Sequence, residues 1–290
     1  MWFRKDSLAI GEQLAPYRAC FSKPQWGHFQ TYVNGLILGD DGDKNIMDIA
    51  SFALDGRSQS SLNRFLHRSG NAVRRADRVR LRMAMQGRKG GCLIIDDTLI
   101  EKTGKHMEGA GFIFDHCQGR NVWSHNFVNC VWSDGTDTVP LSFRTYLKDD
   151  VAKKMSRTFR TKVELAVQLI EEAKCWSEPE LVLFDAWFGA NELLESVLAM
   201  KLHFLCEAKS NRLVAYQGQL LQLAKVFPLL DLSGFRKLDN YYLDGYDRCY
   251  ELVTELKKGL KVKVVFVTDG KHFRALISDA LEMSAEEMVE

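Results

Sequence analysis

The 290-residue chain is 46% hydrophobic and 27% charged, with a net charge of +1. That composition excludes a disordered or collagen-like chain and is ample for a sizeable buried core. The N-terminal Met-Trp-Phe-Arg-Lys leads into no apolar stretch, and no segment approaches the apolar length that spans a bilayer, so neither a secretory leader nor a membrane span is expected.

Seven scattered cysteines without a Cys-x-x-Cys pair point to a reducing, cytoplasmic setting with no disulfide frame and no structural zinc. The small net charge hides an asymmetry. Between Arg57 and Lys89 ten Lys and Arg residues face a single acid, Asp77, so this segment carries +9. Such an excess suits a polyanionic partner, although a solvated helix face gives the same pattern.

Residues 1–88 read as a helical domain. Apolar positions recur at helix spacing in Tyr32-Val33-Leu36-Ile37, in Leu62-Phe65-Leu66 and in Val73-Ala76-Val79-Met83. Ser58 to Ser61 offers caps for the second of these helices. Arg75, Arg78 and Arg82 fall on one face of the third. Gly87-Arg-Lys-Gly-Gly91 is a breaker and marks the domain boundary.

The pattern then changes. Cys92-Leu-Ile-Ile-Asp-Asp-Thr-Leu-Ile100 reads as a buried strand with a functional end. Residues 121–147 are β-rich, with a hairpin turn at Asp134-Gly135. An amphipathic helix is expected over 156–176. Next come a strand Leu181–Phe184 ending in Asp185, a helix Asn191–Met200 and a strand Leu202–Cys206. Residues 208–261 read as an inserted segment of hairpins and short helices, with a turn at Asp244-Gly245. Strands resume at 262–268 and 273–278. The order predicts an α/β fold with a mixed sheet over 89–290 and helices packed on it.

Two aspartates stand at the ends of apolar strands, Asp97 and Asp185. The carboxyl ends of strands are where α/β sheets bind ligands. Two carboxylates aimed at one point repel each other, and a divalent cation relieves the repulsion. Hard oxygen ligands favour Mg²⁺ or Mn²⁺. Capping of the following loop is the competing role for each. Asp96 and Asp97 are adjacent, so strand alternation sends them to opposite faces. One is expected to face the site and the other to face away.

Ile95-Asp-Asp-Thr-Leu-Ile-Glu-Lys-Thr-Gly104, then Met107-Glu-Gly, then Gly119-Arg-Asn-Val-Trp-Ser-His-Asn126, then Phe184-Asp-Ala-Trp-Phe-Gly189 resembles the bacterial insertion-sequence transposases of the DDE type. The likeness is to the group with a β-rich insertion before the final carboxylate, and covers roughly residues 20–290. It implies a ribonuclease H-like core, with the insertion at about 208–261. Asp97 and Asp185 would be the first two catalytic, metal-holding carboxylates. Two Mg²⁺ or Mn²⁺ ions would activate a nucleophile and stabilise the leaving oxygen. The implied partner is double-stranded DNA, both the element's terminal repeats and the target, bound by a homodimer. Arg74, Arg75, Arg78 and Arg82 are the expected phosphate contacts, joined by Lys102 and Lys105.

The implied third carboxylate is a glutamate in a Tyr-x-x-Arg-x-x-x-Glu pattern on a later helix. That pattern is missing. Tyr246-Asp-Arg248 with Glu251 or Glu255 imitates it only in part. Ser284 and Glu287 form a capping-box pair, and the glutamate is expected on the helix they begin, beyond residue 290. The expectation is therefore a catalytically incomplete transposase. The alternatives are a DNA-binding remnant without catalysis and a ribonuclease H-like nuclease. Trp187 is a further candidate for stacking on a base, with core packing as its competing role.

Overall fold

The computed structural model describes residues 8–38, 44–54, 56–104, 106–238 and 245–290. The chain forms two compact units, Met1–Gln86 and Gly87–Glu290. No described helix is long and apolar enough to cross a membrane.

The first unit is helical: α1 Leu8–Leu14, a 3-10 turn Ala15–Cys20, α2 Lys23–Leu38, α3 Ile46–Phe52, α4 Gln59–Arg68 and α5 Gly70–Ala84. Ser58 caps α4, its side chain accepting from Ser61 N at 3.3 Å. Helix α5 buries Ala72, Ala76 and Leu81, while Val73 and Met83 are exposed. Of the expected Val73-Ala76-Val79-Met83 stripe, Ala76 and Val79 pack in the core and the two ends do not. The small Ala72 and Ala76 pack in one cluster with Phe21 and Phe65, with Trp26 and Phe29 beside it. Larger side chains at those two positions would hold the aromatic rings off.

The second unit begins with β1 Cys92–Glu101, β2 Gly111–Asp115, β3 Arg120–Ser133 and β4 Thr138–Tyr146. Gly91 leads into β1 with φ 72°, and a Cβ there would lie 2.6 Å from Ser133 O, so only glycine fits. The β3–β4 hairpin turns at Asp134, whose Oδ1 accepts from Thr136 N and Asp137 N. After α6 Asp149–Lys154 comes α7 Lys162–Ser177. This helix begins six residues later than its apolar pattern suggests, because Thr161 and Glu164 form a reciprocal capping box. Next are β5 Leu181–Phe184, α8 Asn191–Ala199 and β6 His203–Glu207, a βαβ unit with β5 and β6 parallel.

The remainder comprises β7 Leu213–Tyr216, β8 Gln219–Gln222, α9 Leu223–Val226, β9 Arg236–Lys237, β10 Arg248–Glu255, β11 Lys261–Thr268, β12 Phe273–Ser278 and α10 Ala285–Val289. Strands β7 and β8 form their own two-stranded sheet. Strands β9 and β10, which fall in the segment read as an insertion, join the main sheet at its edge. Its order is β2-β3-β1-β5-β6-β12-β11-β10-β9, with β4 also on β3. Part of the predicted turn at Asp244-Gly245 lies outside the described residues.

The sheet has two unlike faces. Leu93, Ile95, Val128, Cys130, Trp132, Val182, Phe184 and Phe204 are buried, and register puts them on one side. Helix α7 packs on β1, β3 and β4, and α8 on β6. Each fully buried Leu or Phe stabilises by about 1.5–3 kcal/mol relative to exposure. On the other face α10 sets Ala285, Met288 and Val289 against Leu205, Val265 and Val267, with Leu181, Leu183 and Leu276 at its margin. On the β1–β3–β4 end of that face Phe143 is exposed.

Candidate active site

Strands β1 and β5 are parallel, with Ile94 beside Leu183 and Ile95 beside Phe184. One residue further, Asp96 lies beside Asp185. Parallel neighbours in register point the same way, so both carboxylates stand on the face that carries α10. They line one cleft of about 610 Å³ together with Glu207, Arg274, Glu287 and Glu290. Burial pushes the Asp96 carboxyl above the usual range, and the charge of Asp185 adds to the effect. Asp185 also organises its own loop, its Oδ1 accepting from Trp187 N at 3.0 Å and Phe188 N at 3.1 Å.

Asp97 leaves β1 on the opposite face by strand alternation, and it is Asp96, which was expected to face away, that lines the cleft with Asp185. The physical reason lies 65 residues away. Lys162, the first residue of α7, donates to Asp97 Oδ2 at 2.7 Å. Asn126 Nδ2 donates to the same oxygen at 2.5 Å. The Lys162 and Asp97 side chains are only 12% and 20% exposed. Lys162 Nζ also sits 4.7 Å from the centre of the Trp187 ring and 5.5 Å from that of Tyr146. Trp187 is 38% exposed and is therefore committed to this cation on one side. Asp97, Lys162 and Trp187 tie β1, α7 and the loop after β5 together on the helix-covered face. Sequence reading gave no role to Lys162, which stands in no motif, nor to Asn126, which closes the Gly119–Asn126 run.

The other cleft carboxylates differ in their bonding. Glu207 takes two hydrogen bonds from Arg274, at 2.9 and 2.7 Å. Glu287 is held in the capping box by Ser284, which lowers its carboxyl. Glu290 lines the cleft at the end of α10. Glu251 is not among its lining residues. Burial would raise its carboxyl, but bonds from Arg236 and Lys263 outweigh this and lower it. Among the described residues, no group of three or more His, Cys, Asp or Glu side chains is set to hold a metal. The Asp96–Asp185 pair has the hard, anionic oxygens that suit a divalent cation, as two ligands rather than three.

The basic residues divide similarly. Arg74, Arg75, Arg78 and Arg82 are exposed on α5. Arg75 Nη2 donates to Cys20 O at 2.6 Å, and Arg74 to Asn71 Oδ1 at 2.9 Å. The half-buried Lys102 follows β1, its backbone N donating to Trp123 O at 2.7 Å. Lys105 lies outside the described residues.

The second unit is thus an α/β unit with an acidic cleft at the carboxyl ends of two adjacent parallel strands, the edge of a sheet where α/β proteins bind ligands. The chain belongs to the DDE superfamily endonucleases: the model of that family matches residues 16–225. Asp96, Asp97 and Asp185 all fall within the match, while α10 lies outside it. A comparison with curated proteins returns no match.

Proposed function

We propose that this chain is a transposase of a bacterial insertion sequence, whose second unit cleaves DNA at the cleft of Asp96 and Asp185. The observation that carries the reading is the in-register placement of these two aspartates in one cleft. The order β4-β3-β1-β5-β6, with β3 antiparallel to both its neighbours and β1, β5 and β6 parallel, supports a ribonuclease H-like core. Asp96 and Asp185 would hold Mg²⁺ or Mn²⁺, which when bound supplies charge stabilisation for phosphoryl transfer. The protein's own contribution is positioning. Asp185 fixes its loop through two backbone bonds, and the Asp97–Lys162 pair secures β1 against α7. Helix α5 contributes phosphate contacts through Arg78 and Arg82, and two copies act on the paired element ends.

A second reading, DNA binding without cleavage, has one observation in its favour: among the described residues the acids form no three-ligand group. Incubation of the chain with supercoiled DNA and Mn²⁺ separates the two. Nicking that is lost in Asp96→Asn and in Asp185→Asn supports the first reading. Retention of DNA without nicking supports the second, and nicking that survives both substitutions contradicts the assignment.

A further inference from the structure

The face that carries Asp96 continues across β1 into aromatic side chains that cleavage does not use. Cross-strand register sets Thr98 beside Phe127 and Ile100 beside His125. On the next strand Phe143 stands beside Asn129, and Thr145 beside Phe127. All of these share the face of Asp96. Thr98 is two residues from Asp96 along β1, about 7 Å at the rise of a strand. Asn129 Nδ2 donates to Thr98 Oγ1 at 3.0 Å and bridges the interval.

The rings form a side-by-side set. Phe127 and Phe143 meet edge-on at 5.5 Å, and His125 and Phe127 at 5.9 Å. Glu108 O lies 2.9 Å from His125 Nε2 and fixes that ring. A cleft of about 500 Å³ opens over them, its lining including Leu147, Met155 and Arg157. Phe143 is 60% exposed, and Arg157 is exposed as well. Arg144 also borders the cleft, but its guanidinium is bound to Glu172 on α7.

Exposed rings in a concave site, with a cation at the rim, call for a ligand with a flat π face and a negative charge. An unpaired nucleotide has both. The bases of an intact duplex present only their edges, because their faces are stacked on one another. We infer that this cleft takes an unpaired base of the DNA strand that lies across Asp96 and Asp185, stacked on the exposed Phe143 with Phe127 edge-on to it, and with its phosphate near Arg157. The inference rests on the DNA-cleaving reading above and adds the state of the strand: it is locally melted beside the reacting phosphate.

The test uses the full chain without divalent metal, and compares the affinity of a labelled oligothymidine with that of a blunt duplex. Phe143→Ala is expected to weaken the single strand roughly 5- to 150-fold, the equivalent of about 1–3 kcal/mol for one stacked base. Duplex affinity and the far-ultraviolet circular dichroism should be unchanged. Arg157→Ala should weaken the single strand and reduce its salt dependence by about one phosphate. Unchanged single-strand affinity in Phe143→Ala, or an equal loss on duplex, overturns the inference. So does a change in sedimentation with intact DNA affinity, which would make the aromatic face a contact between copies. A protein that nicks DNA but ignores Phe143 refutes this inference alone. One that binds single strands through Phe143 but never nicks refutes the cleavage reading alone.

Discussion

Asp97 and Lys162 show what one residue of register does. An ion pair this little exposed costs desolvation, and is retained only with good geometry and further hydrogen bonds. Asn126 supplies one such bond, and the Tyr146 and Trp187 rings flank the ammonium. Lys162→Met should leave the Asp97 carboxylate with Asn126 alone. The expected loss is about 2–3 kcal/mol, somewhat below the 3–5 typical of a fully buried pair. Adding Asp97→Asn should recover most of it, because the uncompensated charge is gone. Urea unfolding of the two single variants and the double variant measures this coupling. A double variant as unstable as the sum of the singles would show that the pair contributes nothing jointly.

At the scale of elements, α10 is anchored by charge as well as by its apolar side. Arg236 on β9 bonds both Glu286 on α10 and Glu251 on β10. The Arg236 bond lowers the Glu286 carboxyl from 4.5 to about 2. A depressed acid contributes stability that is present above its unfolded value and lost as pH falls through the folded one. The contribution should therefore fade between about pH 4.5 and 2, and Arg236→Ala should flatten that part of the acid-unfolding curve. An identical acid limb in the variant would detach Arg236 from α10. The elements themselves were partly legible. Apolar runs marked β1 and β5, and Ser284 with Glu287 marked the start of α10. Alternation also showed that Asp96 and Asp97 face opposite ways. It could not show which way the site lies, because that depends on which face α7 covers, a contact made by Lys162 far along the chain. The same holds for α5, where the packed face was decided by the aromatic cluster around Phe21 rather than by the larger side chains Val73 and Met83. The open aromatic face was written in the spacing of Trp123, His125 and Phe127, but a strand with large residues on both sides reads as buried.

The whole molecule carries a basic helical unit and an acidic α/β unit, and each makes its own prediction. Duplex affinity should fall steeply with salt, with each phosphate contact adding about −0.9 to the slope of log K against log salt. Arg75 is bonded to Cys20 O within its own unit, so the test falls on Arg78 and Arg82. Replacing both with Ala should flatten the slope by about two units. An unchanged slope would return α5 to an ordinary solvated face. The central claim is that the metal-holding pair is Asp96 with Asp185, and Mn²⁺ binding followed by electron paramagnetic resonance tests it without requiring turnover. Wild type and Asp97→Asn should both bind the ion, while Asp96→Asn and Asp185→Asn should not. Binding lost in Asp97→Asn and kept in Asp96→Asn would contradict the account and put the site on the other face of the sheet.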